Sequence, residues 1–341
     1  MQISTLRQEV TNRLLAFVWN EWAQVGVFAD VRNESPWATD PEALLLFTLQ
    51  VGRSDARLFD EALDWLVRNA GLVSIQRFRN HYAADRDQQI GEATVAWLAR
   101  HVPAHLQARK AKRVGKPERL FYSGRVPARP DPAFLEHGFL KQTAEPSKKS
   151  QRPDLTKPVN FAFRLRRGFG VGSRSEVMRF LLTATRLSGV GSRPLFTTLA
   201  IAEAAGFVKR NVQDTLNSLA AAGWIEHVVR GNEHLYGLDP ERWRPVVWRD
   251  DRPLPAYRDW TRTFQAFREL HRWLNESGAD DLSPYIRASE ARKLVTQLAP
   301  SLGYAGVPSA ERRSAEGADY WGVFVDWVRQ VLAALEAGIP W

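Results

Sequence analysis

The sequence predicts a mainly α protein with one β-hairpin near its middle, and three observations carry that prediction. Apolar residues recur at three- and four-residue spacing through both ends of the chain. Helix-start signals such as Asp40-Pro41 stand in front of those stretches. Residues 225–238 instead hold two short β-compatible runs around Gly231-Asn232. The 341 residues suffice for two or three domains. The pattern divides them into an N-terminal helical domain (1–102), a basic, proline-rich connector (103–158), a central domain (159–245) and a C-terminal helical domain (246–341).

Composition narrows the chemistry. The 13 Trp are costly to leave in water, so most should anchor cores or interfaces. The chain has no Cys, which excludes disulfides, thiolate zinc sites, iron–sulfur clusters and cysteine nucleophiles. The start, MQISTLRQEV, lacks the apolar run of a signal peptide. No stretch approaches the roughly 18 apolar residues of a membrane span. A soluble, cytoplasmic protein without a membrane partner is expected. Net charge is +9, and its placement is uneven. Residues 102–174 hold 17 Lys/Arg against 5 Asp/Glu, so the rest of the chain sums to −3. Such a basic segment suits a polyanion; a solvated linker is the plainer reading.

In chain order, Leu6, Val10, Leu14, Phe17, Val18, Trp22 and Val25 mark a first helical stripe. Asp40 and Pro41 open a second helix carrying Leu44, Leu45, Phe47 and Leu49. A third fits Ala56–Ala70 and stops at Gly71. Ser74 caps a short helix with Arg77, Arg79, Asn80 and His81, which could belong to a second helix-turn-helix, although no wing follows and a dimerisation or partner domain explains them better. A fifth helix fits Asp87–Arg100. Eight prolines and the cluster Arg109-Lys110-Ala111-Lys112-Arg113 then suggest an irregular, partly mobile connector. A short strand is expected at Val159–Leu165. Three further helices are expected at Tyr257–Asn275, Ser289–Leu298 and Ala318–Ala337.

The central domain carries the functional signal. Ser173 and Glu176 form a capping-box pattern for a helix from Arg174. Thr197 or Thr198 can cap Leu199–Ala205, and Gly206 supplies a tight corner. The next helix, Val208–Ala222, turns Val208, Val212, Leu216 and Leu219 inward. Arg210, Gln213, Asp214 and Asn217 fall on the other side, with Lys209 and Asn211 near the start. Guanidinium and amide groups make paired hydrogen bonds to base edges, Arg to guanine and Asn or Gln to adenine. The hairpin Ile225–Arg230, Gly231-Asn232, Glu233–Leu238 places Arg230, Asn232 and His234 at its tip, where they can meet a phosphate or minor groove.

These segments together describe a winged helix-turn-helix with a β-hairpin wing, flanked by helical domains. The runs Leu199-Ala-Ile-Ala-Glu-Ala-Ala-Gly, Val208-Lys-Arg-Asn-Val-Gln-Asp-Thr-Leu-Asn-Ser-Leu, Ala222-Gly-Trp-Ile and Tyr236-Gly-Leu resemble winged-helix regulators of the MarR and ArsR kind. That resemblance covers about 65 residues. It implies major-groove reading by the second helix and backbone contact by the wing. The whole chain is also similar to AbiEi-type antitoxins, which repress their own operon and accompany a nucleotidyltransferase toxin.

Other chemistries fit less well. Gly168-Phe-Gly-Val-Gly-Ser-Arg has neither dinucleotide nor P-loop spacing. It suits a backbone nest for a DNA phosphate near Arg174, or an ordinary glycine turn, and the basic run Arg164, Arg166, Arg167 and Arg174 would extend the DNA face. The motif Gly-Val-Gly-Ser-Arg repeats at 189–193, ending on Arg193. None of the seven His forms a metal-binding pair with an acid, and no Gly-x-Ser-x-Gly elbow is present. The expectation is a repressor, without catalysis, cofactor or metal, that binds double-stranded DNA as a homodimer. The alternative is an interaction module whose helical ends hold a toxin or other protein.

Overall fold

Helices form where the apolar stripes lie in the computed structural model, which describes residues 2–31, 33–83, 87–102, 109, 115–184, 194–248, 253–276, 280, 282–304 and 317–337. Helix α1 (Ile3–Gln24) buries Leu6, Val10, Leu14, Phe17, Val18 and Trp22. The Asp40 carboxylate accepts the Ala43 N–H and so caps α2 (Pro41–Val51), whose residues are all buried. Asp55 caps α3 (Ala56–Asn69), and Ser74 caps α4 (Ile75–Tyr82). Helix α5 (Gln88–His101) closes the first group.

The connector is more ordered than its composition suggests. Strand β1 (Glu118–Arg119) pairs in parallel with β2 (Phe139–Leu140), and α6 (Pro132–Glu136) lies between them in sequence. Leu120, Phe134 and Phe139 join the N-terminal core. Beyond them, long-range bonds replace secondary structure. The Asp64 carboxylate accepts the N–H groups of Lys148 at 2.7 Å and Ser150 at 3.1 Å. The Gln151 N–H donates to the Gly26 carbonyl at 2.7 Å. Gly26 has φ +113°, and a Cβ there would stand 2.6 Å from the Gln151 oxygen, so only glycine admits this crossing.

The expected strand at 159–165 is instead helical. A 3-10 turn at Pro158–Asn160 leads into α7 (Phe161–Phe169), which buries Phe161, Phe163, Leu165 and Arg166. Helix α8 (Ser173–Thr183) starts one residue earlier than expected and without the capping box. The Ser173 hydroxyl bonds to Thr215 and the Glu176 carboxylate to arginines. Strand β3 (Phe196–Thr197), α9 (Thr198–Ala205) and α10 (Lys209–Ala221) follow, and the Thr197 side chain caps α9. Val208 stands outside α10 and is 56% exposed, so it does not join the core as its spacing suggested. Strands β4 (Glu226–Arg230) and β5 (Glu233–Gly237) form the hairpin. β3 pairs antiparallel with the outer side of β5, giving sheet order β3-β5-β4. Helix α11 (Pro240–Val247) then leads to α12 (Trp260–Glu276), α13 (Pro284–Tyr304) and α14 (Tyr320–Ala337).

The described residues form two hydrophobic cores, and these do not follow the expected divisions. Helices α12–α14 share one core with α1–α5. Phe264 of α12 stacks on Phe47 at 4.5 Å, and Arg13 and Arg329 link α1 and α14 through Glu336 and Glu9. The two helical ends are therefore one body rather than two. The second core is built from residues between 161 and 248 together with Ala38, and contains Phe161, Val177, Leu181, Ile201, Val212, Leu216, Ile225 and Trp248, whereas Phe163 joins the first. Among the described residues no helix is long and apolar enough to cross a membrane.

Candidate nucleic-acid interface

Helix α10 packs Val212, Leu216 and Leu219 into the second core, a spacing that leaves the opposite face outside. That face carries Arg210, Asp214 and Asn217, all exposed. Two structures flank it. On one side Gln213 reaches β5, donating from Nε2 to the Tyr236 hydroxyl at 2.8 Å. On the other side the Thr215 and Ser173 hydroxyls meet at 2.7 Å, which sets the start of α8 against the helix. The exposed face thus runs between the hairpin and the α7–α8 turn.

Lys209 and Arg210 are exposed in the first turn of α10, and neither has a partner among the described residues. Lys209 also borders a cleft of about 490 Å³ between α4, the α9–α10 turn and α12. Asn211 is half-buried beside Thr215, whose hydroxyl donates to its carbonyl. Arg230 and Asn232 are exposed at the hairpin tip, where Gly231 takes φ +59°. His234 is not free there: its Nδ1 lies 2.8 Å from His227 Nε2, and the rings stack. Arg167 and Arg174 are exposed on either side of the turn 168–172. Arg193, the second glycine motif and residues 110–113 of the basic cluster lie outside the described residues.

Gln213 has another role than the one expected. It is half-buried, and all of its amide is engaged. Nε2 donates to Asn217 Oδ1 at 2.9 Å as well as to Tyr236, while Oε1 accepts the Thr198 hydroxyl at 2.8 Å. It joins α9, α10 and β5 rather than facing outward. Tyr236 and Thr198 were not evident as members of this group. A strand tyrosine inside a core needs a partner for its hydroxyl, and that need was the available signal.

Arg166 requires the largest correction. Read as part of a basic DNA face, it is 2% exposed and lies inside a network of six ionised side chains. Its guanidinium donates to Glu42 at 2.7 and 2.8 Å, to Glu176 at 2.7 and 2.9 Å and to the Leu72 carbonyl at 2.7 Å. Arg77 donates to Glu42 at 2.7 Å and binds the Asp40 carboxylate through two nitrogens. Arg179 donates to Glu176 at 2.8 Å and Asp40 at 3.4 Å. Burial alone would raise the Glu176 pKa, but the guanidinium groups of Arg166, Arg179 and Arg77 hold it down at about 2. Asp40 is likewise held well below the usual range by Arg77 against its burial.

This network fixes the α9–α10 corner on the larger core. Arg77 Nε donates to the Ala205 carbonyl at 2.7 Å, and Asn80 donates to the Gly206 carbonyl at 3.0 Å. Gly206 takes φ +72°, and a Cβ there would lie 2.9 Å from Arg77 Nε. Arg79 pairs with Glu92. The basic residues of α4 are thus spent internally, which removes the second helix-turn-helix as a reading of Ala70–Asn80.

Among the described residues, no three His, Asp or Glu side chains gather as a metal site. The chain matches no protein-family model, no curated protein and no solved structure.

Proposed function

We propose that residues 159–245 act as a winged helix-turn-helix that binds double-stranded DNA, with α10 in the major groove and the β4–β5 hairpin over the backbone or minor groove. The observation that supports this best is the outer face of α10. It presents Lys209 and Arg210, without partners among the described residues, beside Asn217, and it lies between a hairpin and a turn that each add exposed arginines. Arg210 suits guanine, and the Asp214 carboxylate suits the amino group of cytosine while opposing a phosphate. Arg167, Arg174 and Arg230 suit phosphates, which fix register without reading sequence. The biological role that follows is a cytoplasmic repressor acting as a homodimer, since two-fold sites match two-fold proteins.

Selection of bound duplexes from a random pool at two salt concentrations tests this. A site enriched at both concentrations, with Arg210→Ala relaxing one base position, is the expected outcome. Binding that shows no sequence preference and vanishes at the higher salt would leave only a charge-driven surface.

A further inference from the structure

We propose that Asn217 reads the edge of guanine, which is made of two acceptors, because Thr198, Gln213 and Tyr236 hold its amide with the oxygen turned inward. The inference rests on α10 being the reading helix and names what one of its residues selects.

The hydrogen-bond inventory sets the orientation. Gln213 Nε2 has two hydrogens, and Asn217 Oδ1 at 2.9 Å and Tyr236 Oη at 2.8 Å take one each. Its Oε1 accepts the Thr198 hydroxyl at 2.8 Å. The Tyr236 hydroxyl, having accepted from Gln213, turns its own hydrogen toward Asn217 Oδ1 at 3.4 Å. Turning both amides over would make Gln213 donate to Thr198. The proton of that hydroxyl, on a residue 5% exposed, would then lose its acceptor. Thr198 is the first residue of α9, so no helical carbonyl lies behind it to take the proton. The orientation that satisfies every buried group is the one with Asn217 Oδ1 inward. Tyr236 is itself immobilised: it is 1% exposed, and the His227 ring stacks on it at 4.7 Å and 8°.

Asn217 therefore offers a ligand the two hydrogens of Nδ2 and no oxygen. Adenine is read by an amide that gives a hydrogen to N7 and accepts one from N6, and here the accepting half is committed. Guanine presents O6 and N7, both acceptors, and thymine only O4; the cytosine amino group finds nothing to accept it. Tyr236 and Thr198 act as positioning residues for this choice.

The test uses the full chain and a random duplex pool. Wild type is expected to enrich a G·C pair about fivefold or more over an A·T pair at the position that Asn217→Ala relaxes. Thr198→Ala, which removes the hydroxyl proton that demands Gln213 Oε1 and leaves room for water on either orientation, should keep binding and bring that ratio close to one. An A·T pair enriched at that position in wild type overturns the inference, as does Asn217→Ala relaxing no position, while either leaves the winged-helix reading standing. Should no sequence be enriched at all, the winged-helix reading fails first. Side-chain amide exchange by NMR on the free protein still judges the orientation. Slow Gln213 Nε2 hydrogens with fast Asn217 Nδ2 hydrogens are expected, and slow Asn217 hydrogens overturn it.

Discussion

Arg166 and Arg167 are neighbours in sequence and opposites in circumstance. The first is enclosed by Glu42 and Glu176, whereas the second is exposed, with no partner among the described residues. The same contrast separates two whole regions. In the joint between the cores, three arginines face three carboxylates, all six at most 3% exposed. On the outer face of the central unit, Arg167, Arg174 and Arg210 are exposed and unmatched among the described residues. Cations of the first kind hold the molecule together; those of the second kind are available to something outside it.

The largest expected effect comes from breaking the joint. Glu176→Ala strands Arg166 and Arg179 without a shared carboxylate and should cost about 3–5 kcal/mol of stability. Arg167→Ala should change stability by less than about 0.5 kcal/mol. Urea midpoints of the two variants measure the contrast directly, and equal shifts would erase it.

A somewhat smaller effect concerns pH. Burial, with help from Arg272 and Arg53, pushes the His271 pKa down to about 4. Its folded value lies below its unfolded value near 6.5, so the unfolded chain takes up the proton first. Stability is complete above about pH 6.5 and declines as pH falls toward 4, by about 3 kcal/mol from this group. His271→Gln should flatten the urea midpoint between pH 7.5 and 5; an unchanged slope removes His271 as the cause.

Effects on the outer face should appear in binding instead. Arg210→Ala should weaken the selected site by about 1–3 kcal/mol and leave the urea midpoint in place. Smallest of all, Arg174→Ala should weaken every duplex alike and reduce the salt slope by about one unit. A change in base preference from Arg174→Ala would move it from positioning to reading.

The two regions also differ in how far the sequence disclosed them. Local signals were sufficient for the caps at Asp40 and Ser74 and for the hairpin, and they narrowed the α9 cap to Thr197 or Thr198, since each depends on residues a few positions apart. The joint was not readable in that way. Arg166 meets Glu42 across 124 positions, and nothing near it announces a carboxylate. The strand expected at Val159–Leu165 is a helix for a further reason: short apolar runs do not distinguish a strand from a buried helix. The packed course of residues 117–158 was hidden for a related reason. Its backbone partners are Asp64, Asn69 and Gly26, far away in the chain.

The joint divides unevenly when its members are sorted by core. Asp40, Glu42 and Arg77 come from the larger body and leave one negative charge unmatched; Arg166, Glu176 and Arg179 come from the central unit and leave one positive charge unmatched. Each half is complete only against the other. The central unit is consequently not a portable cassette. Excised at residue 159, it would expose two guanidinium groups around a single carboxylate, and grafted onto another scaffold it would need a receptor carrying the counterparts of Asp40, Glu42 and Arg77.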